Sequence, residues 1–145
     1  MKSLPHHYNV VATADPDGDV ILASDGLDAI PSAPPVEFGG PGDRWSPETL
    51  LVAAVADCFV LTFRAIATAS ELSWKSLRCD VEGRLERIER VTRFTGFVVR
   101  VTLEIPNDSD EDRAHRILEK AEESCLITNS LSSTAHLDTV VVKVS

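Results

Sequence analysis

A long apolar helix is the feature that most constrains how this chain folds. Ser46-Pro47-Glu48 is a strong helix start, with a serine cap, a proline at the first helical position and an acid at the positive end of the helix dipole. The apolar residues that follow predict a helix to about Ser70, about 36 Å long at 1.5 Å per residue. Because apolar side chains occupy most of its circumference, this helix must be buried against more than one surface.

The apolar side chains of this helix form two adjoining stripes. The first, at the three-and-four spacing of a buried face, consists of Leu51, Ala54, Cys58, Leu61 and Ala65. The second widens it and consists of Val52, Val55, Phe59 and Phe63. The pattern predicts that Cys58 is turned toward the core.

The remaining sequence predicts a fold of the α+β class. Alternating residues predict short strands at 8–14 and 19–24, long strands around 77–82 and 97–105, and a last strand at 137–144. A second helix is predicted from Asp110 to about Ser124, with Cys125 at the end of its apolar face. Asp25 to Trp45, rich in proline and glycine, predicts a long surface loop. The order ββ-α-ββ-α-β over residues 1–145 indicates a single domain with antiparallel sheets around two long helices.

Composition limits the partners and the compartment. The net charge of −9 opposes contacts with nucleic acid and with anionic membranes, so we expect neither as a partner. The first twenty residues lack the apolar core of a signal peptide, and no run approaches the roughly 18 apolar residues of a membrane span. Three cysteines do not make a disulfide scaffold, and no metal-ligand spacing is present, so we expect no metal site. These features favour a cytoplasmic protein with reduced thiols.

Cys58 and Cys125 are the candidate redox residues, whereas Cys79 has the alternation of a structural strand residue. Free cysteine often behaves as a small buried hydrophobe, and this alternative stays open for both candidates. A nucleophilic cysteine must be a thiolate, and Cys58 lies too far from the start of its helix for the helix dipole to stabilise one. A cation is therefore needed.

Arg44, oriented by Glu48, is the best candidate for that cation. Glu48 precedes Cys58 by about 15 Å along the helix axis, and Arg44 is farther away, so the groups cannot meet within one chain. Two copies of the helix, packed antiparallel about a two-fold axis, would bring Arg44 and Glu48 of one chain to Cys58 of the other. We therefore expect a homodimer.

The segments around the two cysteines resemble the OsmC/Ohr family of thiol-dependent hydroperoxide reductases, as a divergent branch. The resemblance rests on residues 46–59, SPETLLVAAVADCF, and on residues 121–127, AEESCLI. A Pro-Glu pair before an apolar helix, with a cysteine ten residues after the glutamate, is fairly specific. The predicted order of elements extends the likeness over nearly the whole chain.

The resemblance implies an intertwined homodimer with two active sites at the subunit interface. Cys58 would be the peroxidatic thiol, which becomes a sulfenic acid, and Cys125 the resolving thiol, which forms a disulfide with it. An external dithiol reductant, lipoyl groups in the organic-hydroperoxide branch, would restore the pair. No metal, haem or flavin cofactor is required.

The N-terminal turn departs from that family. The organic-hydroperoxide branch carries its activating arginine in this turn, whereas residues 15–19, DPDGD, include no basic residue. We expect Arg44 to replace it. Four apolar residues are predicted to line a pocket for a small apolar hydroperoxide, with plain core as the alternative: Leu51, Phe59, Leu61 and Leu126.

The sequence therefore predicts an enzyme, a hydroperoxide reductase acting on alkyl or lipid hydroperoxides in oxidative-stress defence. The alternative is a non-catalytic binding or redox-sensing protein of the same fold, which holds a small apolar ligand at the dimer interface. The missing arginine in the turn favours the alternative. Thiol acidity separates the two, because a peroxidatic Cys58 should titrate below the ordinary value of about 8.5.

Overall fold

Two three-stranded sheets and one long helix organise the chain in the computed structural model, which describes residues 1–145. The chain divides into two units, Met1–Leu51 and Val52–Ser145. The α+β class is as predicted, whereas the single domain over 1–145 stays a prediction.

The first unit contains a small antiparallel sheet in the order β1-β2-β3, formed by Val11–Thr13, Val20–Ala23 and Ile30–Ser32. The third strand and a single 3₁₀ turn, Val36–Phe38, lie inside the segment that the sequence predicted as an irregular loop. The prediction missed β3 because Pro31 lies within it and the surrounding prolines and glycines are typical of a loop. Pro31 is tolerated there because β3 is an edge strand.

Helix α1 spans Pro47–Ala69, close to the predicted limits. Its start is a reciprocal cap: the Thr49 N–H donates to Ser46 Oγ at 3.1 Å, and the Ser46 N–H donates to Thr49 Oγ1 at 2.8 Å. The buried side chains of α1 are Val55, Phe59, Phe63 and Ala67. The expectation that Cys58 faces the core is wrong, because its stripe lies on the open side of the helix, where Leu61 is 51% exposed.

The hydropathy of α1 corrects a second expectation. Within this helix, an 18-residue window reaches a mean hydropathy of 2.0, and 22% of the window is buried. By length and composition alone the helix is apolar enough to cross a membrane, contrary to the sequence expectation that no run approaches that limit. The core helix of a water-soluble protein meets the same criterion.

The second unit contains the larger sheet, in the order β4-β5-β6, formed by Ser76–Ile88, Val91–Pro106 and Thr134–Val144. Strands β4 and β5 form an antiparallel hairpin with a two-residue connection, but β6 runs parallel to β5. The prediction of antiparallel pairing is therefore wrong for β6. The helical segment between β5 and β6 supplies the crossover connection that parallel neighbours need.

Helix α2, Glu111–Glu123, starts at Asp110, whose Oδ1 accepts from the Arg113 N–H at 3.2 Å. Helix α2 packs against β6. Its buried side chains are Ala114, Ile117, Leu118 and Ala121. The sequence placed Cys125 at the end of this face: it is buried as expected, with 1% of its surface exposed, but it lies after the end of α2. Cys125 is the residue before a separate short helix, α3, Leu126–Asn129.

Candidate functional site

Cys58 lies near the middle of α1 and is half-buried, beside the fully buried stripe that contains Phe59. Its sulfur is 3.8 Å from Thr62 Oγ1, one turn further along the helix. Asp57 and Leu61 on either side are exposed, so this stretch of α1 is open to solvent. The thiol is accessible to a small molecule.

Cys125 occupies the break between α2 and α3. Cys125 is buried, with 1% of its surface exposed, and its thiol forms no disulfide. The Thr128 hydroxyl donates to Cys125 Sγ at 3.3 Å. The break also leaves the N–H groups of Leu126 and Ile127 at the start of a helix, where no intrahelical acceptor exists for them.

These unpaired N–H groups act on Cys58. Burial by itself raises the pKa of the Cys58 thiol, but hydrogen bonds to the sulfur outweigh it, and the pKa is lowered from its ordinary value. The donors, in order of effect, are the Ile127 N–H, the Cys125 thiol, the Thr62 hydroxyl and the Leu126 N–H. The start of α3 therefore contributes to the stabilisation of a Cys58 thiolate, an effect that we expected from an arginine alone.

The other two thiols are shifted the opposite way. Burial raises the pKa of Cys125, and the hydrogen bonds from Thr128 offset it only in part. Burial also raises the pKa of Cys79 to about 11, with smaller contributions from Asp80 and Cys125. Near neutral pH, Cys58 is thus the most readily ionised of the three cysteines, and Cys125 beside it remains a thiol.

An open cleft of about 580 Å³ lies over Cys58, between α1 and the α2–α3 break. Its surface is mostly apolar, supplied by Ala54, Leu61, Ala65, Ile66, Leu126 and Ile127. Its polar lining consists of Asp57, Thr62, Lys120 and Ser124, besides Cys58 itself. Such a cleft suits a small apolar molecule that presents one reactive group to the thiol.

The structure brings together some of the predicted pocket residues and not others. Leu61 and Leu126 line the cleft. Phe59 is 1% exposed and belongs to the core, and Leu51 is half-buried in the second turn of α1. The predicted contact of these residues with a substrate stays a prediction.

Arg44 and Glu48 both lie in the first unit. Arg44 Nε donates to Asp19 Oδ2 at 2.9 Å, and its Nη1 lies 3.6 Å from Asp43 Oδ2. Glu48 Oε1 is buried and has no hydrogen-bond partner. Their predicted roles at Cys58 stay predictions.

Sequence reasoning missed Thr62, Thr128 and the two N–H groups of α3. The spacing held a signal for the threonines, because Thr62 follows Cys58 by four residues and Thr128 follows Cys125 by three. No pattern pointed to the N–H groups, since the break between α2 and α3 was not predicted. No group of three or more His, Cys, Asp or Glu residues that would hold a metal ion is found in the chain.

Residues 40–140 match the family model described as OsmC-like protein. Among curated proteins, the chain is similar to the uncharacterized protein YmaD of Bacillus subtilis, 28% identical over 71% of each chain. It is also similar to an organic hydroperoxide resistance protein of Xanthomonas axonopodis pv. citri, 25% identical over 84% of each chain.

The fold has close counterparts among solved structures. An OsmC-like protein of unknown function from Vibrio cholerae superposes with a TM-score of 0.86 at 18% identity, over 94% of this chain and 100% of that chain. At this identity the likeness establishes the fold alone. The arrangement of helices and sheets is therefore shared with proteins of very different sequence.

Proposed function

Because the chain belongs to the OsmC-like protein family, we propose that it is a thiol-dependent peroxidase that reduces organic hydroperoxides, alkyl or lipid. One observation carries the proposal: Cys58, with a lowered pKa, lies on the wall of an apolar cleft, and the buried Cys125, with a raised pKa, lies beside it. A peroxidatic cysteine must be a thiolate, and a resolving cysteine is not required to be one until it reacts. The relation to an organic hydroperoxide resistance protein supports a peroxide-related redox role.

In the first step, the Cys58 thiolate attacks the terminal oxygen of the hydroperoxide. The O–O bond breaks, the alkoxide leaves and takes a proton to become the alcohol, and Cys58 becomes a sulfenic acid. The hydrogen bonds from the Ile127 N–H and the Thr62 hydroxyl stabilise the attacking thiolate. The apolar cleft accepts the alkyl group.

In the second step, Cys125 attacks the sulfenic sulfur. An S–S bond forms, the hydroxyl of the sulfenic acid leaves as water with the Cys125 proton, and a Cys58–Cys125 disulfide results. An external dithiol, with lipoyl groups as one class, then reduces the disulfide by exchange and is itself oxidised to a disulfide. The cycle uses no bound cofactor or metal.

The active form in this proposal is a homodimer. The open stripe of α1, with Leu61 half-exposed, is apolar surface that a second copy would cover in part, so that the cleft over Cys58 would lie at the subunit interface. The buried Glu48 Oε1 lacks a donor within its own chain, and buried carboxylate oxygens are normally hydrogen-bonded. Arg44 and Glu48 of one copy would then approach Cys58 of the other, as the sequence argument requires.

The proposed setting is the cytoplasm, with no nucleic acid or membrane as a partner. A net charge of −9 disfavours both of these anionic partners. Reduced thiols, which the cytoplasm maintains, are the starting state of the cycle.

The proposal is tested by mass spectrometry without reductant, after one equivalent of cumene hydroperoxide is added to the reduced protein. We expect rapid loss of two hydrogens and a Cys58–Cys125 linked peptide. Cys58→Ser should abolish the reaction, and Cys125→Ser should stop it at the sulfenic acid. Cys79→Ser is the matched control and should react like the original chain. Thiols that stay unreacted for minutes in the original chain would overturn the proposal.

A second candidate is a non-catalytic protein on the same fold that binds a small apolar ligand or senses oxidants. The ion pair between Arg44 and Asp19 favours it, because an arginine neutralised by a carboxylate is a weaker activator of a thiolate. Such a protein would form the disulfide slowly and would not turn over with an added dithiol. Steady-state consumption of hydroperoxide in the presence of dihydrolipoamide distinguishes the two.

A further inference from the structure

Within one chain, Lys120 is the one basic side chain on the cleft over Cys58. The proposed dimer would add Arg44 of a second copy, but that guanidinium is already paired with Asp19. It lies in the last turn of α2, opposite α1, and is exposed. The other charged lining residue is Asp57, which precedes Cys58 on α1. The two charges therefore stand on different walls of a cleft whose remaining surface is mostly apolar.

The ammonium of Lys120 has no partner within the chain. None of the ion pairs includes Lys120, although Glu123 follows one turn later on the same helix. A lysine can lay its aliphatic stem along apolar surface and hold its charged head at the rim. An unpaired cation above an apolar wall matches a ligand with an apolar body and an anionic end.

Resting on the proposed peroxidase function, we infer that Lys120 is a specificity-determining residue that selects hydroperoxides carrying a carboxylate. The carboxylate pairs with the Lys120 ammonium at the α2 rim, and the alkyl chain lies along the apolar lining. The hydroperoxide group then reaches Cys58. No step of the thiol chemistry changes; the pairing only orients the substrate and raises its occupancy.

Asp57 reinforces this orientation. A carboxylate placed at the α1 wall would meet the like charge of Asp57, next to the reacting thiol, and like charges repel. Attraction by Lys120 and repulsion by Asp57 act in the same direction along the cleft. The volume of about 580 Å³ is within the usual range of small-molecule sites, about 300–1,000 Å³.

The test compares the hydroperoxide of linoleic acid with the hydroperoxide of its methyl ester, both below their aggregation limits. The measured quantity is the ratio of kcat/KM for the acid to kcat/KM for the ester. A change in Cys58 reactivity alters both terms and cancels in this ratio. We expect Lys120→Gln to lower the ratio about two- to fivefold, the range of a solvent-exposed charge pair.

Three further variants sharpen the comparison. Lys120→Glu should lower the ratio more than Lys120→Gln, because it adds repulsion. Asp57→Asn should raise the ratio. Lys143→Gln, which removes an exposed lysine on β6 away from the cleft, is the matched control and should leave the ratio unchanged.

The outcomes separate the two proposals. An acid-to-ester ratio that is the same in the original chain, Lys120→Gln and Lys120→Glu, with both substrates reduced, overturns the role of Lys120 alone. Reduction of neither substrate by the original chain overturns the peroxidase function and the role of Lys120 with it. The Lys120-dependent preference should also shrink as salt is added, since the pair is exposed.

Discussion

Arg44 Nε donates to Asp19 Oδ2 at 2.9 Å, which joins the end of the proline- and glycine-rich segment to the residue before β2. The two residues are 25 positions apart in the sequence. Residues 15–19 form the acidic turn that lacks the arginine of the organic-hydroperoxide branch. Asp19, the last carboxylate of this turn, binds Arg44, the arginine that we expect to replace it. Asp43 lies close to the same guanidinium, so Arg44 faces two carboxylates.

Asp19→Asn tests whether this ion pair restrains Arg44. If Arg44 activates Cys58 of a second copy, removal of the Asp19 charge should raise the rate constant of Cys58 with hydroperoxide, because a less neutralised cation stabilises a thiolate better. Stopped-flow measurement of hydroperoxide consumption under single-turnover conditions checks this. Asp17→Asn, in the same turn and outside any ion pair, is the control. A slower reaction in Asp19→Asn would instead make Asp19 a residue that orients Arg44.

As the pH is raised, the three cysteines should become reactive toward an alkylating reagent in a defined order. The thiolate is the reactive form, so a lowered pKa moves the onset of reaction to lower pH and a raised pKa to higher pH. With iodoacetamide pulses read by peptide mass spectrometry, Cys58 should react with a midpoint below the ordinary value of about 8.5, and Cys79 with a midpoint near 11. Cys125 should follow Cys58. In unfolded protein all three should titrate together, near about 8.5.

Thr128→Ala should slow the resolving step without preventing the first one. The Thr128 hydroxyl donates to Cys125 Sγ at 3.3 Å and holds the pKa of Cys125 below the value that burial alone would give. Loss of a hydrogen bond worth about 0.5–1.5 kcal/mol should lower the rate of disulfide formation about two- to tenfold. The Cys58 sulfenic acid should then be trapped more fully by dimedone. Thr128→Ser keeps the hydroxyl and should behave like the original chain.

Gly83→Ala should destabilise the second unit. A Cβ at this position in β4 would lie 2.9 Å from Phe94 Cε1 and 2.9 Å from Val52 Cγ2, so the neighbours would have to move. Overpacking of this kind costs about 1–3 kcal/mol of unfolding free energy. Urea denaturation followed by circular dichroism measures it. Gly96→Ala is the matched control, because its Cβ would come no closer than 3.8 Å to Thr134 O, and an unchanged midpoint for Gly83→Ala would contradict the packing seen here.

The long elements were predictable because local patterns specify them. The Ser46 cap and the apolar run predicted α1, and alternation predicted the parts of β4 and β5 around 77–82 and 97–105. The extension of these strands toward their connection, to Ile88 and from Val91, was not predicted. β3 was not predicted, since it contains Pro31 and lies in a segment whose prolines and glycines indicate a loop. The parallel pairing of β6 with β5 was missed as well. The direction of a strand depends on the path by which the chain returns to the sheet, and the residues of the strand itself do not specify that path.

The candidate site was also predictable only in part. The residues around Cys58 and Cys125 were enough to single out both cysteines and to suggest the family, because the chemistry needs those residue types in those segments. Which face of α1 is buried was not decided by the sequence, since apolar residues occupy nearly all of it. Tertiary packing buries the stripe with Phe59 and leaves Cys58 only half-buried, and packing alone makes that choice.

By itself the sequence determined the approximate limits of α1 and α2, the acidic charge and the identity of the candidate thiols, all properties of residues and their near neighbours. Only the tertiary structure decided how those thiols differ. The break after α2 turns Cys125 inward and aims the N–H groups of Leu126 and Ile127 at Cys58, 67 residues or more away along the chain. The pKa of a thiol depends on which donors surround it in space, and a linear pattern does not contain that information.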